Sequence, residues 1–209
     1  ATGPSATDAR FAGIFPDRTA LGVFKNNLAH SNENTGLNVD GGPDIKTLES
    51  NTTYYAARAN PSDKGSAIVP TLFEGFQAYK NRTRGIWLRG EQHIVENAVI
   101  ADGAIGATFA SHDTVVQNSV FVGETANKGT PSDYEKNGRI GLDGRTLPFP
   151  WEVAFPIRGF EFYDGKVGAK NVTFVNFQPN AQRGAGGTSY LRFTDFHIDP
   201  RNGAEGLSF

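Results

Sequence analysis

Between residues 76 and 129 the apolar positions return at a fixed step. Placing FQAYKNRTRGIWLRG (76–90) over NAVIADGAIGATFAS (97–111), and that over NSVFVGETANKG (118–129), advances 21 residues each time. The columns agree chemically: Ala78, Val99 and Val120; then Tyr79, Ile100 and Phe121; then Gly85 over Gly106. Upstream, Ile94 and Val95 fall over Val115 and Val116, as a second strand of the same unit would. The early stretch FKNNLAHSNENTGLNVDGG (24–42) joins through Asn27, nine residues before Gly36, the spacing of Phe76 to Gly85 and of Asn97 to Gly106. Leu37 and Val39 then match Ile86 and Leu88. NVTFVNF (171–177) repeats the strand with Phe174 under Phe121, and YLRFTDFHI (190–198) reads as a degenerate or separate copy.

A unit of this length, with two or three short strands and glycines at its corners, cannot bury its apolar face alone and must stack on its neighbours. The pattern predicts an all-β fold, a right-handed parallel β-helix whose coils are about 21 residues long, over one domain spanning 1–209. A β-sandwich, the competing architecture, would show hairpin turns about every 8–12 residues instead. The register places Val99, Ile100, Val120, Phe121 and Phe174 in the interior. It makes Asn27, Asn97 and Asn118 an amide ladder in which each side chain donates to the next. Two long insertions, about 41–70 and 124–157, interrupt the rhythm and are expected to wall a groove or to hide an irregular coil.

Composition supports the β reading: 25 Gly, 11 Pro and 16 Phe occur without Ala/Leu/Glu/Lys-rich helical stretches. A formal net charge of −2 and scattered Lys and Arg argue against nucleic acid as a partner. No apolar run reaches the roughly 18 residues of a membrane span. The absence of Cys excludes disulfides, thiolate metal sites and a Cys nucleophile. The absence of an initiating Met points to a processed chain or a piece of a longer one.

Chemistry is less legible than fold. His30 falls in the column of Tyr79, Ile100, Phe121 and Phe174, where it reads either as a flat ring stacked in the column or as part of a site. Two residues on, Asn32, Asn81, Asp102, Gly123 and Asn176 form a polar row, either a ladder of turn residues that tolerate left-handed backbone or a surface for sugar hydroxyls or a cation. A glycosidase needs two carboxyls roughly 5–10 Å apart, for which Asp40, Asp44, Asp102, Asp113, Asp143 and Asp164 are eligible. An eliminating lyase would draw a base and a carboxylate neutraliser from Lys80, Arg84, Arg89, Arg158 and Tyr163. His93, His112 and His197 lack the close pairing of a zinc site, so no cofactor is expected; calcium held by Asp and backbone carbonyls stays open, although no D-x-D-x-D-G loop supports it.

The run FKNNLAHSNENTGLNVD, FEGFQAYKNRTRGIWLRG, VENAVIADGAIGATF, VQNSVFVGE and PIRGFEFYDGKVGAKNVTFVNF resembles the β-helical region of the eight-glycine-domain proteins. This family includes the cell-surface hyaluronidase and cell-migration-inducing hyaluronan-binding protein group and the fibrocystin-like receptors. The resemblance covers about residues 20–178 in block order, with GFEFYDG (159–165) matching closely. It implies an extracellular or cell-surface β-helix, a fragment of a larger protein with further domains as partners. In the hyaluronidase branch it implies depolymerisation of an acidic polysaccharide. Asp102 and Asp164, with His30 nearby, are then the candidate catalytic groups, and Arg84, Arg89, Trp87, Tyr163, Asn32 and Asn81 the candidate glycan contacts. The alternative is a non-catalytic extracellular module that binds glycan or protein, or a structural spacer.

Overall fold

A computed structural model describes residues 15–32, 34–40, 55–81, 83–127, 156–179, 184–190 and 198–209. Residues 41–54 of the first insertion and 128–155 of the second lie outside these residues, as do Asp44, Asp143 and His197. The strands are β1 (Leu28–His30), β2 (Thr35–Val39), β3 (Thr71–Glu74), β4 (Gln77–Tyr79), β5 (Arg84–Glu91), β6 (His93–Glu96) and β7 (Val99–Ala101). They continue with β8 (Ile105–His112), β9 (Thr114–Val122), β10 (Ile157–Asp164), β11 (Val167–Val175), β12 (Ala185–Tyr190) and β13 (Gly203–Glu205). No helix occurs among the described residues. One sheet runs β1-β4-β7-β9-β11-β13, with β3 and β6 joined to it, and the other runs β12-β10-β8-β5-β2. Strand neighbours in both sheets pair in parallel. This all-β, parallel arrangement fits a β-helix.

The two sheets meet over an apolar core. On β5, Ile86 and Leu88 point inward and are fully buried while Trp87 and Arg89 between and beside them stay half-buried on the outer side, the period-2 alternation of a strand with one covered face. Phe109 and Phe160 from the second sheet join Val95, Ile100, Val116, Phe121, Val172 and Phe174 from the first in one cluster. Each buried ring or branched chain contributes about 1.5–3 kcal/mol of transfer free energy.

Gly36, Gly85, Gly106, Gly159 and Gly187 lie in successive strands of the second sheet, and there the glycine is required by space. A Cβ on Gly106 would stand 2.3 Å from the Gly159 carbonyl oxygen and 2.5 Å from the Phe121 ring. On Gly85 it would meet the Gly106 oxygen at 2.6 Å and Ile100 at 2.3 Å. The missing side chains let the large residues of the first sheet reach across.

The observed register corrects the sequence alignment by one residue upstream of Arg84. Gln77 pairs with Val99 and Ala78 with Ile100, while Arg84 pairs with Ile105 as the sequence spacing requires. The turn between Tyr79 and Arg84 is therefore one residue longer than the turn between Ala101 and Ile105. Ile100, Phe121 and Phe174 are buried as expected, but Val99 is 45% exposed on the outer face and Val120, which pairs with it, is only half-buried there. His30 stands beside Tyr79, then Ala101, Val122 and Val175, one residue away from the buried column of Ile100, Phe121 and Phe174.

The asparagine ladder also shifts. Asn26, Asn97, Asn118 and Asn171, with Gly75 and Gly206, share left-handed φ of 50–64° at one corner, a conformation that Asn and Gly adopt at least cost. Asn171 Nδ2 donates to Asn118 Oδ1 at 3.2 Å, but Asn118 Nδ2 donates to Glu96 Oε1 at 3.1 Å and not to Asn97, so the expected Asn97–Asn118 rung is replaced by a carboxylate contact. Asn27 is not a member; its Nδ2 donates to its own turn, at Lys25 O. The second polar row is Ser31, Lys80, Asp102 and Asn176, with φ of 52–62°. Part of the first insertion returns to the sheets: Tyr55 forms a parallel bridge with Gly90, and its ring stacks on buried His93 at 5.7 Å.

Candidate functional site

The outer face of the second sheet gathers charge and aromatic surface. The register puts Trp87 beside Thr108 and Thr108 beside Glu161 on adjacent strands β5, β8 and β10. Because Phe160 and Phe162 point into the core, Glu161 between them must face outward. It is nevertheless fully buried, beneath its polar neighbours. Arg158 Nη1 donates to Glu161 Oε2 at 2.6 Å, and Thr108 Oγ1 donates to Glu161 Oε1 at 3.2 Å. The Thr108 hydroxyl in turn accepts from Arg84 Nε at 3.0 Å. Burial pushes the Glu161 carboxyl above its ordinary range, against the pull of the Arg158 and Arg84 guanidiniums. Burial likewise lowers Arg84, with Glu161 opposing.

Trp87 is the centre of the face. The Arg84 guanidinium lies 4.8 Å from its ring centroid and that of Arg89 5.2 Å, both within cation–π range. Its Nε1 donates to Asp40 Oδ2 at 3.1 Å. Arg89 Nε is 3.1 Å from Asp40 Oδ1, an ion pair whose angle does not make a hydrogen bond. Tyr163 tilts against Trp87 with centroids 5.7 Å apart. The structure thus brings together four of the sequence candidates, Arg84, Trp87, Arg89 and Tyr163, and Asp164 ends the same strand as Glu161.

The other candidates lie at the corner that follows β1, β4 and β7. Asp102 is 5% exposed and accepts from Thr125 N at 2.7 Å and Thr125 Oγ1 at 2.8 Å. Asn81 is buried, its Oδ1 accepting from Asn32 Nδ2 at 2.8 Å and its Nδ2 donating to Ala29 O at 3.0 Å. His30 is exposed and stacked on Tyr79. Glu161 was missed by sequence reasoning, although the Phe-Glu-Phe alternation inside GFEFYDG marked it as the outward residue between two core rings. Among the described residues, no group of three His, Asp or Glu could hold a metal ion, and no helix is long and apolar enough to cross a membrane.

No known family model matches the chain. It is 34% identical over 215 residues to human cell surface hyaluronidase CEMIP2, covering 93% of this chain and 15% of that protein. It is 34% identical over 230 residues to mouse cell migration-inducing and hyaluronan-binding protein, 100% of this chain and 16% of that one. Cell surface hyaluronidase of Danio rerio is 33% identical over 205 residues, 91% of this chain and 14% of that protein. The chain is therefore similar along nearly its whole length to segments of these proteins, and spans about one sixth of the length of the relatives it matches.

Proposed function

We propose that this chain is a right-handed parallel β-helix of a cell-surface or extracellular protein, and that it binds an acidic polysaccharide of the hyaluronan type on the outer face of its second sheet and depolymerises it. The observation that carries the reading is the convergence of Arg84 and Arg89 on Trp87, with Tyr163 tilted against the same ring and Arg158 held by Glu161 on the same sheet. An acidic glycan presents a carboxylate for a guanidinium and an apolar sugar face for an aromatic ring. The names of the relatives, which include hyaluronidase and hyaluronan-binding, support the same polymer class.

Hydrolysis requires two carboxyls, one of them protonated at working pH. Asp40 directly follows β2 and Asp164 ends β10, with β5 and β8 between them. At about 4.8 Å per strand their backbones stand roughly 14 Å apart, which places their carboxyls at the outer limit for flanking one glycosidic bond, whereas Glu161 lies on the same strand as Asp164. Asp102 has both oxygens committed to Thr125, which favours Glu161 with Asp164 over the pair Asp102 and Asp164. One observation favours a purely binding face instead: Glu161 is sealed from solvent behind Arg158.

Incubation with hyaluronan, chondroitin and alginate separates the readings. Hydrolysis gives falling viscosity without the ultraviolet absorbance of an unsaturated uronate, whereas a lyase gives both. Saturable binding with constant viscosity selects the non-catalytic module, and no binding to any of the three overturns the proposal.

A further inference from the structure

The three arginines of this face are not equivalent. Arg158 is spent on Glu161 at 2.6 Å, and Arg89 faces Asp40 at 3.1 Å with only 15% of its side chain exposed. Among the described residues no carboxylate is in contact with Arg84. Its Nε is fixed by the Thr108 hydroxyl at 3.0 Å, its guanidinium leans on Trp87, and its terminal nitrogens form no hydrogen bond among the described residues. The Thr108 hydroxyl has one proton, and donating it to Glu161 Oε1 leaves the oxygen lone pairs facing Arg84. The chain Glu161, Thr108, Arg84 therefore sets the plane of the guanidinium before any ligand arrives.

Resting on the acidic-polysaccharide reading above, the geometry points to Arg84 as the specificity-determining residue of this face: its two terminal nitrogens receive a sugar carboxylate end-on, and Thr108 is the positioning residue that aims them. A planar carboxylate matches the paired N–H groups left free once Nε is engaged. Burial depresses the Arg84 guanidinium, so an arriving anion offsets the cost of holding that charge away from water. Arg89 and Arg158 hold the scaffold and contribute little to discrimination.

The test compares hyaluronan with carboxyl-reduced hyaluronan, in which each uronate carboxylate has become a primary alcohol. Titration calorimetry is run on the chain and on Arg84→Gln, Arg84→Lys, Thr108→Val and Thr108→Ser, each first checked for its melting transition. The unsubstituted chain is expected to prefer the acidic polymer by about tenfold or more. Arg84→Gln binds the two polymers equally. Arg84→Lys retains a smaller preference, because an ammonium attracts charge without the fork. Thr108→Val loses most of the preference, and Thr108→Ser, which keeps the hydroxyl, restores it. If Arg84→Gln still distinguishes the two polymers as the unsubstituted chain does, the assignment to Arg84 fails while the polysaccharide reading stands. If the unsubstituted chain binds neither polymer, both fail together. Should Thr108→Val not fold, Thr108→Ser and the Arg84 pair decide the outcome.

Discussion

The rings of His30 and Tyr79 lie face to face, 4.8 Å between centroids and 1° between planes. The stack follows from register: the two residues pair directly on β1 and β4, and parallel neighbours at strand spacing carry their side chains at the same height and angle. Both rings stand on the outside of the sheet, so the stack is not part of the core.

Replacing His30 by alanine therefore removes a surface stack and opens no cavity. The expected loss is under about 1 kcal/mol, a fall of roughly 2–4 °C or less in melting temperature for a chain of this size. A loss of about 2–4 kcal/mol, the usual cost of an interior ring or aliphatic chain, would show that His30 is buried by something outside the described residues. Polysaccharide binding measured on the same variant separates surface packing from a role in a site.

Asp102 gives a contrast of two substitutions. Its backbone is left-handed at φ 52° and both carboxyl oxygens hold Thr125. Asp102→Asn keeps an acceptor for the Thr125 amide and tolerates the same backbone, so the expected loss stays within about 1 kcal/mol. Asp102→Ala strands the Thr125 amide and places a Cβ-bearing residue without a compensating polar group at positive φ, for about 2–3 kcal/mol. Chemical denaturation of both variants reads the difference. Equal losses would indicate that the charge, not the hydrogen bonds, holds this corner.

The glycine column is the most severe constraint. Gly106→Ala puts a methyl group against the Gly159 carbonyl and the Phe121 ring together, and backbone oxygen cannot rotate away as a side chain can. An overpacking cost of about 2–3 kcal/mol or more is expected, with a lower melting temperature and a less cooperative transition. Gly22→Ala is the control, since a Cβ there meets nothing within 4 Å. A Gly106→Ala variant as stable as Gly22→Ala would overturn the account of the column.

The parallel strands were legible because Ile100, Phe121 and Phe174 must fill the same interior slot, and a slot of fixed size selects large apolar residues in every unit. The left-handed corner was legible at Asp102 and Asn176, but Ser31 and Lys80 hold it where the sequence row had Asn32 and Asn81. What the sequence hid was the length of one turn: Lys80 and its neighbours span one residue more than Asp102 and its neighbours, and turns carry no hydrophobic signal to reveal it. That residue put Ala78 and Tyr79 beside Val99 and Ile100 where the structure pairs them with Ile100 and Ala101, and it carried Asn27 along with them. Of the site, Arg84, Trp87, Arg89 and Tyr163 were found by residue type. Glu161 was passed over because a carboxyl between two phenylalanines reads as surface, and only the pairing of β10 with β8 shows it buried against Thr108.

His93 makes stability depend on pH. It is fully buried, its Nε2 is 3.0 Å from Arg89 O, and Nδ1 has no hydrogen-bond partner among the described residues. The contact to a carbonyl oxygen assigns the proton to Nε2 in the neutral ring. Burial lowers its pKa from the ordinary 6.5, with the Arg89 hydrogen bond opposing. A base whose folded value is depressed takes up its proton more readily when unfolded, so its contribution is full above 6.5 and is lost as pH falls through the folded value. Glu161 works with the opposite sign: its folded value is raised from 4.5, so the stability it contributes is full below 4.5 and is lost as pH rises through the folded value. The melting temperature of the unsubstituted chain, measured between about pH 5 and pH 8, contains both slopes. In His93→Gln, which keeps a donor for the Arg89 carbonyl, the fall on the acid side is expected to flatten while the Glu161 slope remains. In Glu161→Gln the converse is expected. Parallel curves for the unsubstituted chain and His93→Gln would mean that the imidazole takes up its proton equally in the folded and unfolded states, and that the stack with Tyr55 opens to water.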